Sequence, residues 1–204
     1  MEHIPILGVA GWSGSGKTTL IEALLPELRR RGLRTAVIKH DGHDFAVDQW
    51  GKDSWRFTQA GADITAIFSD THAVILENRP LRPAEVAGRM TGVDLILVEG
   101  CKDEDWPKLL VCREESHEPP AVPLSDCAAV VTDGIQLRGV PCFLPGDIAG
   151  LADFICSGQW RTAGCEGKSP MFGQNNGKAA NAKLYLMDNA QNRRISFKTA
   201  KYLR

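Results

Sequence analysis

The chain has 204 residues, with 24 Lys or Arg, 25 Asp or Glu, and a formal net charge of −1. That balance supplies no general attraction for nucleic acid or a membrane surface, and no apolar run is long enough to span a bilayer. The length suits one sizeable core with something attached. The start, Met1-Glu2-His3-Ile4-Pro5, lacks the charged-then-apolar plan of a secretory leader, so a cytoplasmic location is expected. Six cysteines (Cys101, Cys112, Cys127, Cys142, Cys156 and Cys165) are scattered without a C-x-x-C pair. In a reducing compartment most are expected to be small buried apolar residues.

In chain order, Ile4 to Ala10 reads as a short apolar strand. It enters Gly11-Trp12-Ser13-Gly14-Ser15-Gly16-Lys17-Thr18, a complete G-x-x-x-x-G-K-[ST] phosphate loop. Glycines let the backbone curl so that successive N–H groups face a β/γ-phosphate. Lys17 adds a point charge, and the Thr18 hydroxyl suits Mg²⁺. Leu20, Ile21, Leu24, Leu25 and Leu28 then recur at helical spacing. Pro26 should kink that helix or remove one hydrogen bond, and Gly32 is a natural stop. The run Arg29-Arg30-Arg31 reads as a solvated, dipole-favoured helix end rather than a nucleic-acid site. Further strands are expected at Thr35–Lys39, Ile64–Phe68, Ala73–Leu76, Leu95–Val98, Leu109–Val111, Ala128–Val131 and Cys142–Leu144. Helices are expected at Ser54–Ala60 (capped by Gly61), Pro83–Met90 and Ile148–Cys156. The alternation predicts an α/β fold of the P-loop NTPase type, a mostly parallel sheet with helices on both faces, over residues 1–160.

Ligands of such sheets bind beyond the carboxyl ends of the strands. This separates two acids that bracket one buried run. Asp94 precedes Leu95–Val98 and reads as a strand-start or helix-exit residue. Glu99 follows it, at the ligand edge, and is the Walker B candidate, holding Mg²⁺ through water or positioning an attacking water. The strand ending at Lys39 reaches the same edge, which adds Lys39, His40, His43 and Asp48 to the candidates. His40 and His43 have the i, i+3 spacing of metal ligands, but one loop offers few others. In Gly51-Lys52-Asp53-Ser54, Asp53 or Ser54 is the expected N-cap. Lys52 either reaches a phosphate or belongs to a tetrapeptide that only caps.

Residues 161–204 hold nine Lys or Arg against two Asp or Glu, a charge of +7, which leaves −8 for residues 1–160. This Gly- and Asn-rich stretch reads as a flexible linker followed by a short strand, Ala182–Met187. It is either a basic arm for an acidic partner or a disordered extension.

Taken together, residues 11–20, Val37-Ile38-Lys39-His40, Asp48 with Gly51-Lys52-Asp53-Ser54, Ala60-Gly61-Ala62, Asp94 to Gly100, and Pro107-Lys108 resemble MobB. These are the molybdopterin-guanine dinucleotide biosynthesis adaptor proteins. The resemblance covers about residues 4–160 and departs at Asp41-Gly42, Trp50 and Cys101. It implies a homodimeric GTP-binding protein of weak GTPase activity. Such a protein assists a guanylyltransferase that attaches GMP to the molybdenum cofactor. By this matching, Gly11, Ser13, Gly14, Ser15, Gly16, Lys17, Thr18 and Thr19 bind the GTP phosphates, with Lys39, His40 and Lys52 nearby. Thr18, Asp48 and Glu99 serve Mg²⁺, and Lys17, Asp48 and Glu99 the hydrolysis. The chain has no Asn-Lys-x-Asp guanine reader, so GTP over ATP rests on the resemblance alone. No arginine finger is evident, and Arg56 or a partner's arginine would have to serve. Two other functions use the same residues. One is a small-molecule kinase. The other is a metal-insertion chaperone using His40, His43 and Cys101.

Overall fold

A computed structural model of the chain describes residues 4–43, 45, 47–115, 118–134, 137, 139–162, 186–187 and 194–195. They form two compact units, Met1–Lys39 with Gly92–Arg204, and His40–Thr91.

The first unit is built on six parallel strands: β1 (Ile6–Ala10), β2 (Thr35–Lys39), β5 (Leu95–Glu99), β6 (Lys108–Cys112), β7 (Cys127–Thr132) and β8 (Cys142–Phe143). Their order is β2-β5-β1-β6-β7-β8, so the strand entering the glycine loop lies between β5 and β6. β1 begins at Ile6 rather than Ile4 because Pro5 has no N–H for a ladder; its carbonyl accepts from Ile96 at 3.0 Å. Helices α1 (Lys17–Arg30) and α4 (Ile148–Ser157) pack together on one face. There Leu20, Ile21, Leu24, Leu28, Leu151 and Ile155 bury against Leu7, Val9, Leu97, Leu109 and Val131. Ala10, Leu110 and Val130 point to the second face, where Val122 and Cys127 join them beside Leu124 of the 3-10 turn Leu124–Asp126. Cover on both faces explains why the strands read as unbroken apolar runs.

α1 runs through Pro26 without interruption. It closes in a Schellman arrangement at Gly32 (φ 83°): Gly32 N–H donates to Arg29 O at 2.9 Å and Leu33 N–H to Leu28 O at 3.0 Å. The basic run is more than a solvated end, because Arg31 pairs with Glu27 and, at 2.8 Å, with Asp153 of α4.

The second unit holds α2 (Asp53–Gln59), an antiparallel hairpin of β3 (Ile64–Phe68) and β4 (Ala73–Glu77), and α3 (Pro83–Ala87). β3 and β4 thus lie outside the parallel sheet. The four residues Ser69 to His72 join the two strands, closed by Ser69 N–H donating to the His72 carbonyl at 2.7 Å, a connection too short for a parallel crossover. α3 stops three residues before the expected end. Beyond Ala87, Arg89 and Met90 donate to carbonyls three residues back, a tightening that ends helices. Lys52, not Asp53 or Ser54, is the N-cap residue of α2, and Ser54 Oγ donates instead to Asp48 Oδ1 at 3.0 Å.

Leu186–Met187 and Arg194–Ile195 pair antiparallel as β9 and β10; Ala182 to Tyr185 lie outside the described residues. Of the five described cysteines, Cys127 alone is buried, and burial pushes its thiol up to about 12. Cys101, Cys112 and Cys142 are half-buried and Cys156 is exposed, so the expectation of mostly buried cysteines does not hold. Cys165 lies outside the described residues.

Asp94 closes the end of the sheet away from the glycine loop. It accepts from the Arg34 guanidinium at 2.9 and 3.1 Å and from Arg34 N–H at 2.8 Å. These bonds hold its carboxyl down at about 2. A depressed carboxyl contributes stability that is fully present above its unfolded pKa, near 4, and is lost as pH falls through the folded one. Acid unfolding of Asp94→Asn should therefore be flatter than the parent's between about pH 4 and pH 2. Parallel profiles followed by circular dichroism would contradict this.

Candidate functional site

β1 delivers the chain into the loop at Gly11. A Cβ there would lie 2.4 Å from the Val111 carbonyl oxygen and 2.5 Å from Ser15 Oγ, so the close approach of β6 requires glycine. Gly14 (φ 75°) and Gly16 (φ 97°) occupy left-handed conformations, available to glycine at little cost. Ser15 N–H donates to Trp12 O at 3.2 Å and closes the curl. Lys17 Nζ reaches back to the same carbonyl at 2.8 Å. Gly16 caps α1 without a side-chain hydrogen bond, and the first turn carries no acid. The amides at the start of α1 are thus left for an anion. Ser13, Thr18 and Thr19 are exposed beside the loop, while Ser15 is buried.

Register sets one flank of this loop. Glu99 ends β5 opposite both Val9 of β1 and Lys39 of β2. Thr18 Oγ1 donates to its two carboxylate oxygens at 3.0 and 3.1 Å. Burial lowers the Lys17 pKa, Glu99 opposes that shift, and the Lys102 and Lys39 ammonium groups add to it. Two hard oxygen donors side by side suit Mg²⁺. Neighbouring ligands of an octahedral ion at about 2.1 Å stand about 3.0 Å apart, and the ion normally takes its remaining ligands from phosphate and water. Lys102 also lies over the Trp12 ring, 4.3 Å from its centroid.

The opposite flank carries groups that did not emerge from the sequence. Arg113 follows β6 and Asp133 follows β7. Arg113 Nε donates to the Ser15 carbonyl at 3.2 Å, and its Nη1 to Asp133 Oδ2 at 3.1 Å. Asp133 Oδ1 accepts from Glu114 N–H at 2.7 Å. That amide, with Arg113, holds the Asp133 carboxyl below the usual carboxylate range. The rule that selected Glu99, an acid just past a buried strand at the carboxyl edge, would equally have selected Asp133.

His40, His43, Asp48 and Lys52 belong to the second unit. His40 and Lys52 are exposed, and His43 lies 3.7 Å from Asp41. Asp48 Oδ1 accepts from Gln49 N–H at 2.8 Å and from Ser54, while Oδ2 is buried with no partner among the described residues. Arg56 pairs with Asp53 of its own helix at 3.3 Å. Among the described residues, no three His, Cys, Asp or Glu side chains gather as a metal site.

A parallel sheet of this order, with the glycine loop between β1 and α1 and an acid at the end of the neighbouring strand, defines an α/β protein of the P-loop NTPase class. Residues 6–133 match the family model described as molybdopterin guanine dinucleotide synthesis protein B, and the chain belongs to that family, MobB. It is 38% identical over 160 residues to the molybdopterin-guanine dinucleotide biosynthesis adapter protein of Escherichia coli, covering 74% of this chain and 91% of that one. It is 45% identical over 122 residues to the Haemophilus influenzae protein of the same name, covering 57% and 68%. The crystal structure of Bacillus subtilis MobB superposes with a TM-score of 0.63 at 28% identity, covering 75% of this chain and 96% of that chain.

Proposed function

We propose that the protein is a GTP-binding adapter with slow Mg²⁺-dependent GTPase activity. It assists the guanylyltransferase that completes molybdopterin guanine dinucleotide, and works in the cytoplasm as a homodimer. One observation carries the nucleotide reading: Lys17, Thr18 and Glu99 converge on a glycine loop whose helix N-terminus has no side-chain cap. The adapter role is supported by the family and by the names of the relatives.

Bound Mg²⁺ would neutralise charge on the β- and γ-phosphate oxygens. Thr18 and Glu99 would hold it. Lys17 leaves the Trp12 carbonyl for a phosphate oxygen, exchanging a neutral acceptor for a charged one. The loop amides stabilise charge on the transferring phosphoryl group. The Glu99 carboxylate has enough lone pairs to face both the cation and a water. That water attacks the γ-phosphorus, and the bond to the bridging oxygen breaks to leave GDP and phosphate.

Calorimetric titration of GTP and of ATP, each with Mg²⁺, tests this reading. GTP should bind at least tenfold more tightly, about 1.4 kcal/mol. A preference for ATP, or no binding of either, would defeat it.

A further inference from the structure

Arg113 has no part in the function just proposed, yet it is built into the phosphate loop. Its guanidinium is clamped at two points, by the Ser15 carbonyl through Nε and by Asp133 through Nη1. Asp133 is in turn braced by the Glu114 amide. Nη2 has no hydrogen-bond partner among the described residues, and it stands 2.9 Å from where a Gly16 Cβ would be. Glycine at 16 therefore does two things: it adopts φ 97° and it leaves room for this arginine. The side chain remains 41% exposed, so the guanidinium is still within reach of a ligand at the loop.

The position of Arg113 relative to Glu99 gives it meaning. The Thr18–Glu99 pair lies on the β5 side of β1, and Arg113 lies on the β6 side. A nucleotide whose terminal phosphates meet Mg²⁺ at Thr18 and Glu99 extends its other end, the sugar and base, away from that pair. A planar guanidinium stacks on a base and donates to ring or sugar oxygens, and its fixed fork makes those contacts at low entropic cost. We infer that Arg113, held by Ser15 and Asp133, is a nucleotide-binding residue that contacts the nucleoside end of the ligand rather than its phosphate chain. This rests on the nucleotide-binding reading above.

The test compares GTP, GDP and inorganic tripolyphosphate, each with Mg²⁺, by calorimetry on the full-length parent and on Arg113→Gln. Tripolyphosphate carries the phosphate chain without a nucleoside. GTP and GDP should each bind at least tenfold more weakly to the variant, while tripolyphosphate affinity stays within twofold. Equal loss for all three ligands would overturn the inference, because Arg113 would then act only by shaping the phosphate loop. Unchanged GTP affinity would overturn it too. A parent that binds none of the three sinks the nucleotide reading and this inference together. A parent that binds tripolyphosphate as tightly as GTP sinks the inference alone. If Arg113→Gln melts early, Asp133→Asn releases the clamp with a smaller change. It should weaken GTP several-fold without weakening tripolyphosphate, and an unchanged GTP affinity would again overturn the inference.

Discussion

Replacing Lys17 by alanine should weaken GTP binding by ten- to a hundred-fold while leaving the fold intact. The ammonium lies beside the loop and outside both core clusters, and its one hydrogen bond goes to the exposed Trp12 carbonyl region. A charged hydrogen bond to phosphate contributes about 1.5–3 kcal/mol, which converts to that range of affinity. Stability should hardly change, since substitutions away from the core usually stay within about 0.5 kcal/mol. Removal of Lys17 also relieves repulsion from Lys39 and Lys102. Fluorescent GTP-analogue titration paired with thermal denaturation reads both quantities. Unchanged affinity in a folded variant would remove Lys17 from the site.

Glu99→Gln should separate binding from hydrolysis. Glutamine keeps the length of the side chain, and its amide oxygen can still accept from Thr18. It loses the negative charge and one of two acceptor oxygens. Nucleotide affinity should hold within a few-fold, because the amides and Lys17 remain. Turnover should fall by roughly a hundredfold or more, the usual contribution of a group that orients or deprotonates the attacking water. The Mg²⁺ concentration needed for half-maximal turnover should rise. Single-turnover phosphate release measures the rate; equal turnover in mutant and parent would leave Glu99 as a strand-end residue tied to Thr18 and no more.

Much of this molecule was legible in local pattern. The strand, loop and helix around residues 6–30 were readable because each is dictated by short-range rules: an apolar run, glycines at tight positions, and leucines at helical spacing. Asp94 and Glu99 were told apart by strand length and the rule that ligands sit at carboxyl ends, and the hydrogen bonds of Glu99 to Thr18 and of Asp94 to Arg34 follow that division. Less legible were features that depend on which neighbour wins. Asp53 and Ser54 carry good capping side chains, yet Ser54 donates to Asp48, six residues back. Arg31 looks like any solvated arginine until α4 brings Asp153 beside it, 122 residues on.

The sequence by itself determined the phosphate loop, the order of strands and helices and the acid at the end of β5, because backbone sterics and hydrophobic periodicity act within a few residues. Only the tertiary structure decided that β3 and β4 form a separate antiparallel hairpin, and that β6 lies against Gly11 closely enough to exclude a Cβ. It alone placed Arg113 and Asp133 at the phosphate loop, 98 and 118 residues beyond Ser15. Pairing between distant strands sets such contacts. It is governed by how the whole sheet buries its two faces, a global balance that no window of neighbouring residues records.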